Sequence, residues 1–187
     1  MQKKLVLFIL FITLFYNSQA QSDRMKDGWV GEIKGGLRIQ KAQKLYWENG
    51  FAFDLTSPKI ADQSIHFGAN YVTSRFGSAL GSNAVKQDNF LFSTAYHFRH
   101  KKELQPFTGL NLGYFHADYE EAIFDVLPNK SFLLSLDAGL SYEFQIPLTL
   151  NLSAGYNLKS GNGSAGPGTL YPFFYQMSIY YTLFKKH

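Results

Sequence analysis

The sequence predicts an all-β fold, an eight-stranded antiparallel barrel with up-and-down meander order. Apolar and polar residues alternate with a period of two through eight segments, as expected of strands with unlike faces. Phe and Tyr are frequent, with 18 and 12 residues among 187, and aromatic side chains favour strands. Most segments span roughly ten residues, the length that a tilted strand needs to cross a bilayer, so the barrel is predicted to be transmembrane.

The first twenty residues are predicted to be a signal peptide. Lys3 and Lys4 give a positive start, residues 5–16 (LVLFILFITLFY) are apolar except Thr13, and Ser18 and Ala20 place small residues at the cleavage positions. The apolar run is too short for a membrane-spanning helix, which needs about 20 residues. We therefore expect residues 1–20 to be removed and residues 21–187 to form one barrel domain.

Composition excludes several classes of site. The chain has no Cys, which excludes disulfides, thiolate metal sites and a lipid-anchored cysteine. Loss of Lys3 and Lys4 lowers the formal charge from +4 to +2. Basic residues do not form a stripe interleaved with aromatic residues, so no nucleic-acid binding is expected. No cofactor is expected either.

Each predicted strand has an apolar face and a polar or small face. The strands are predicted at about 29–40, 45–56, 64–74, 90–99, 107–118, 132–144, 148–159 and 173–183. The connections after strands two, four and six are short, whereas those after strands three, five and seven are longer. Short turns on one rim and long loops on the other are typical of an outer-membrane barrel.

The direction of the apolar face distinguishes a membrane barrel from a soluble one. Gly, Ala, Ser and Asn dominate the polar face, and small residues suit the narrow lumen of an eight-stranded barrel. Aromatic residues occupy the apolar face near strand ends, as in interfacial girdles. They are Trp29, Trp47, Phe90, Phe98, Tyr142, Phe144, Phe173 and Tyr181. We therefore expect the apolar face to point outward; a soluble, periplasmic lipocalin-like carrier is the alternative.

The signal Ser18-Gln19-Ala20, the eight alternating segments and the aromatic-rich final strand together resemble small outer-membrane barrels of the OmpX and OmpA-barrel type. The resemblance covers the whole mature chain but carries no diagnostic motif. It departs at the end, where Lys185-Lys186-His187 follow Phe184. It implies a monomer in a Gram-negative outer membrane, in contact with outer-membrane lipid and lipopolysaccharide and assembled by the barrel-assembly machinery.

A set of charged and polar residues is predicted to share the lumen. Those expected in its lower half are Glu32, Asp54, His66, His97, Arg99 and Glu143. Those expected nearer the middle are Lys34, Arg38, Asn70 and Asp137. Buried charges need partners, and this set holds both signs, so we expect a structural plug rather than a proton relay or a ligand site. His66 and His97 alone are weak evidence for a metal site.

The third long loop is acidic and is the candidate interaction site. Its residues are Asp118, Glu120, Glu121, Phe124 and Asp125, and the spacing matches no calcium loop. Phe124 and its apolar neighbours could form a patch for an unknown extracellular partner. The glycine-rich stretch 161–168 is a second candidate loop.

We expect a non-enzymatic barrel without an open pore, whose loops serve envelope integrity, adhesion or partner binding. A different class, the lipid A acyl-modifying outer-membrane enzyme, is the alternative. Lipid A deacylases carry a His-x-Ser-Asn motif, whereas here His116 is followed by Ala117, Asp118 and Tyr119. A Ser/His/acid set elsewhere stays open to geometry.

Overall fold

The computed structural model describes residues 29–42, 46–75, 85–119, 129–160 and 173–186. The predicted signal peptide and the glycine-rich stretch 161–168 lie outside the described residues. Among the described residues, no helix has the length and apolar character needed to span a membrane.

Eight antiparallel strands form a closed barrel in simple sequential order. They are β1 (Glu32–Ala42), β2 (Tyr46–Thr56), β3 (Ile65–Thr73), β4 (Val85–His97), β5 (Leu104–Tyr119), β6 (Lys130–Glu143), β7 (Leu148–Ser160) and β8 (Phe173–Lys185). A short 3₁₀ helix, Ala61–Gln63, lies between β2 and β3. Pairing of β1 with β8 closes the barrel and leaves no strand edge free, so the predicted meander barrel is confirmed.

The outer wall is apolar. Thirty large hydrophobic side chains among the described residues are exposed, against nine buried hydrophobic residues. All eight aromatic residues predicted for the girdles are exposed. This is the reverse of a soluble barrel, because patches of this size are not left open to water. The outward direction of the apolar face is therefore confirmed, and the lipocalin-like alternative does not fit.

The strands differ in length at one rim. We define the lower rim as the one at which β1 begins and β8 ends. β4, β5 and β6 have 13, 16 and 14 residues, whereas β3 has nine and β1 and β2 have 11 each. The predicted start of the fourth strand at Phe90 was too late, because β4 continues to pair with β5 up to Val85 and Tyr119. Thr73, the last residue of β3, pairs with Asp88, so residues 85–87 of β4 extend past the upper end of β3. Likewise Ser160, the last residue of β7, pairs with Leu133, so residues 130–132 of β6 extend past the upper end of β7.

Glycines make room for large side chains inside the narrow barrel. A Cβ at Gly155 would overlap the ring of Phe174, and one at Gly109 would overlap the carboxylate of Asp137. Phe174 and Asp137 both point inward and are buried. The large lumen side chains therefore pack directly against glycine backbone on the inner face.

Candidate functional site

The lumen is the only place where the strands gather buried charged side chains among the described residues. Alternation along each strand directs one set of side chains inward, and these are almost completely buried. Polar groups fill the lower and middle levels, and a mixed polar and apolar set fills the upper level. The lumen is therefore a packed interior, as expected of a barrel with eight strands.

The lower level is organised around Lys34, which was predicted to lie nearer the middle but which pairs with two residues of the lower set. Its Nζ lies 3.0 Å from Oε2 of Glu32 and 3.0 Å from Oε1 of Glu143. Lys185 approaches the other oxygen of Glu32 at 3.5 Å. β1, β6 and β8 are thus connected across the lumen by a charge-assisted network, and the buried ammonium is neutralised by the two carboxylates.

Two histidines form a stack beside this network. The His66 Nδ1–H donates to Oδ1 of Asp54 at 2.8 Å, and the His66 ring stacks on His97 with centroids 3.8 Å apart. Phe107 stacks on the other face of His97 at 5.1 Å. These three residues, each predicted from the sequence for the lower lumen, are in contact with one another in the structure.

Gln105 closes the lower lumen. His97 Nδ1–H donates to Gln105 Oε1 at 3.1 Å, while Gln105 Nε2 donates to the carbonyl oxygens of His100 and Lys102 at 3.0 and 2.9 Å. The Gln105 residue is 1% exposed. This side chain was missed because the fifth strand was predicted to begin at residue 107, whereas β5 begins at Leu104. Gln105 joins the lumen stack to the turn between β4 and β5.

The middle level holds Arg38, Asn70 and Asp137. Asn70 donates to Ser93 Oγ at 3.1 Å. Nε of Arg38 and Oδ1 of Asp137 have no hydrogen-bond partner among the described residues, although both side chains are buried. The middle level is consequently less well satisfied than the lower one.

A carboxylate that was not predicted as a site residue dominates the upper level. Glu48 is 2% exposed and accepts hydrogen bonds from Gln40 Nε2 at 2.8 Å and Asn89 Nδ2 at 2.7 Å. Arg38 Nη2 in turn donates to Gln40 Oε1 at 3.0 Å. Gln87 continues the chain by donating to Asn89 Oδ1 at 2.7 Å. Five amide and charged groups thereby join β1, β2 and β4.

An apolar cluster completes the upper lumen beside this polar chain, with Val72 and Phe115 paired on either side of Asn89. Its members are Val72, Leu91, Phe115, Ala117 and Leu133. All five point inward from β3–β6, and Phe115 is fully buried. The cluster thus lies at the base of the extension of β4 and β5 beyond β3, and Ala117 reaches into that extension.

Arg99 is a correction to the predicted lumen set. β4 ends at His97, and Arg99 is exposed in the turn that follows, with φ of 57°. Its carbonyl accepts a hydrogen bond from the backbone N–H of Lys102 at 2.8 Å. The left-handed turn breaks the period of two, so the side chain does not continue the inward face of the strand.

A serine, a histidine and an aspartate meet at the lower rim. Ser64 Oγ lies 2.8 Å from His100 Nδ1, and His100 Nε2 lies 3.5 Å from Asp62 Oδ2. Asp62 also contacts Lys101 Nζ at 2.7 Å. The hydrogen bond and charge of Lys101 hold the pKa of Asp62 below its ordinary value of 3.8. Ser64 is 5% exposed, so its hydroxyl is closed off from substrates in this arrangement.

The predicted loop site is described only at its start. Asp118 is exposed near the upper end of β5. Glu120, Glu121, Phe124 and Asp125 lie outside the described residues. Within the described part of the chain, no group of three or more His, Asp or Glu side chains is arranged to hold a metal ion.

Known structures share this fold at low sequence identity. The N-terminal β-barrel domain of OprF from Pseudomonas aeruginosa superposes with a TM-score of 0.54 at 11% identity, covering 82% of this chain and 98% of that domain. A de novo designed transmembrane β-barrel gives a TM-score of 0.54 at 9% identity, covering 81% and 95%. No protein-family model and no curated protein sequence matches the chain. The predicted resemblance to small eight-stranded outer-membrane barrels is thus confirmed for the fold.

Proposed function

We propose that the protein is a non-conducting barrel of the outer membrane that presents its upper rim to the cell exterior, where it serves adhesion or partner binding. The observation that carries this proposal is the combination of an apolar outer wall with a packed polar lumen. The first requires lipid around the barrel, and the second removes the space that a pore needs.

The wall has the layering of a protein that crosses a bilayer. Trp29, Phe98 and Phe144 lie at the lower rim, and Trp47, Phe90 and Phe173 lie towards the upper rim, all exposed. Aromatic side chains prefer the two membrane interfaces, whereas the wall between them is largely aliphatic and Phe. This arrangement supports location in a membrane with the barrel axis across it.

The upper rim supports the proposed role in binding. β4 and β5 extend beyond the upper end of β3, and the inner apolar cluster packs at the base of this extension. On the exposed side of this extension, Arg75 Nε pairs with Asp88 Oδ2 at 2.7 Å and Tyr71 donates to Asp88 Oδ1 at 2.9 Å. A rigid stem of this kind suits loops that contact another molecule, as binding loops usually stand on rigid scaffolds.

Unique cysteines test location and orientation. The chain has no Cys, so Asp118→Cys at the upper rim and Lys102→Cys at the lower rim each introduce one thiol at an exposed position. A membrane-impermeant maleimide should label Asp118→Cys on intact cells, and Lys102→Cys only after lysis. Labelling of both on intact cells, or of neither before lysis, would contradict the proposal.

Replacement of the acidic segment tests the binding role. A short turn in place of residues 120–128 leaves every described strand intact, so folded yield should not change. Cell adhesion conferred by the protein should be lost. A matched replacement of residues 161–168 separates the contribution of the glycine-rich stretch. If the shortened acidic variant fails to fold, that segment is structural and the assignment is wrong.

A lipid-directed hydrolase is the second candidate, because Ser64, His100 and Asp62 are in contact at the lower rim. A fluorophosphonate probe reacts with activated serine hydroxyls. We expect no labelling, since Ser64 is buried. Labelling that disappears in Ser64→Ala would favour the enzyme, and lipid A from cells with and without the protein would then be compared by mass spectrometry.

A further inference from the structure

The outer wall carries an apolar groove of about 720 Å³ that crosses β6, β7, β8, β1 and β2. Its floor contains Ala138 and Ala154, two small residues paired with each other between the larger outward pairs Leu136–Tyr156 and Leu140–Leu152. Leu152 and Met177 border it, and both are exposed. A depression of this kind exists because two alanines stand side by side where other strand pairs carry Leu, Phe or Tyr.

The groove runs from the middle of the wall to its upper end. Ala138 lies near the midpoint of β6, whereas Lys41 is next to the upper end of β1 and Trp47 is next to the upper end of β2. The groove therefore begins at mid-depth in the proposed membrane and ends at the interface. Its polarity changes in the same direction, from purely apolar to cationic.

Among the described residues, Lys41 is the one cation that lines the groove. Its Nζ lies over the Trp47 ring at 4.9 Å, and it makes no ion pair with any described residue. This ammonium group lies at the membrane interface against an aromatic ring and has no carboxylate partner among the described residues. It can therefore bind an anionic group at the same depth in the membrane.

We propose that this groove is a binding site for a phosphate-bearing lipid of the outer leaflet, with an acyl chain lying over Ala138 and Ala154 and the phosphate at Lys41. The inference rests on the proposed membrane location and names a ligand for the wall. Charge complementarity selects this occupant: an anionic lipid has the same order of apolar and charged parts as the groove.

The two tryptophans of the chain allow a test with an internal control. Trp47 lies in the groove. Trp29, at the opposite rim, also has a lysine over its ring, with Lys59 Nζ at 4.8 Å, but does not line the groove. Trp29→Phe leaves Trp47 as the only reporter, and Trp47→Phe leaves Trp29. The protein is refolded into phosphatidylcholine vesicles containing an equal minor fraction of either brominated phosphatidic acid or brominated phosphatidylcholine, and quenching is compared.

We define the lipid preference as the quenching by brominated phosphatidic acid divided by the quenching by brominated phosphatidylcholine. This ratio should be roughly threefold greater at Trp47 than at Trp29. A factor of about three corresponds to ~0.6 kcal/mol, the average energy of a side-chain hydrogen bond inside a membrane. Lys41→Gln should remove this excess. Ala154→Leu, which fills the groove and keeps Lys41, should remove it as well. Ala69→Leu is the matched control, because Ala69 faces outward on β3 away from the groove.

Each other outcome would overturn the inference in a recognisable way. Quenching at both tryptophans with equal lipid preference would show insertion without a lipid site, so the location would stand and the groove proposal would fail. No quenching by either lipid would mean that the chain does not insert, and both proposals would fail. Quenching at Trp47 alone that declines as protein density rises would show that a second copy of the chain covers the groove.

Discussion

An arginine in the middle of the outer wall should destabilise the barrel far more than an arginine at its rim. Leu110 and Leu104 both face outward on β5, with 40% and 48% of their surfaces exposed. They stand six residues apart, and at about 2.5 Å of height per residue of a tilted strand this separation is roughly 15 Å. Leu104 begins the strand at the lower rim, so Leu110 lies near the centre of an apolar band about 25 Å tall.

We expect Leu110→Arg to lower the free energy of unfolding by about 2–4 kcal/mol and Leu104→Arg by about 0–1 kcal/mol, because the rim arginine reaches water and the central one does not. Urea titrations of folding and unfolding in phosphatidylcholine vesicles measure both values on one strand and with one substitution. Equal penalties at the two positions, or none at Leu110, would refute the assigned faces and depth.

Three further perturbations address the lumen and the lower rim. Lys34→Met should cost about 3–5 kcal/mol in the same titration, since two carboxylates then share the lower lumen without their cation; an unchanged stability would show that the network is not structural. Gly155→Ala should lower the free energy of unfolding by about 1–3 kcal/mol, because the added methyl group overlaps the ring of Phe174. Adding Phe174→Leu should recover part of that loss; no recovery would show that the overlap with Phe174 is not the cause. Lys101→Ala should raise the pKa of Asp62, measured by NMR. A carboxyl group whose pKa is lowered by folding adds stability above pH 3.8, and this stability is lost as the pH falls through the pKa of the folded state. Because Lys101→Ala removes the main cause of the lowering, this variant should lose less stability on acidification than the unsubstituted protein.

The strands and their faces could be predicted because a pleated strand ties side-chain direction to sequence with a period of two. Trp47, Phe53 and Leu152 were therefore correctly directed outward, and Glu32 and His66 inward. The same period fails where a strand ends. Arg99 was misplaced because its left-handed backbone conformation follows from the turn, which the alternation of neighbouring residues does not encode.

The partners inside the lumen depend on register between strands that are distant in sequence. The contact of Gln40 with Glu48 lies within one hairpin and follows from its register. The contact of Glu48 with Asn89 joins residues 41 positions apart, so only the closed barrel brings them together. The Ser64–His100 contact has the same origin, since it joins the turn before β3 to the turn after β4. The alternation in the sequence therefore predicts which side chains point inward, but it does not predict which of them form hydrogen bonds with each other.

The packed lumen is the central element of the account, and single-channel recording in planar bilayers tests it most directly. Gln105, Phe115 and Glu48 are each at most 2% exposed and block the lumen at its lower and upper levels. Purified monomer, shown to be folded by heat-modifiable migration in gels, should insert without producing stable conductance steps. Uniform, long-lived steps from that material would contradict the packed lumen and the scaffold role built on it.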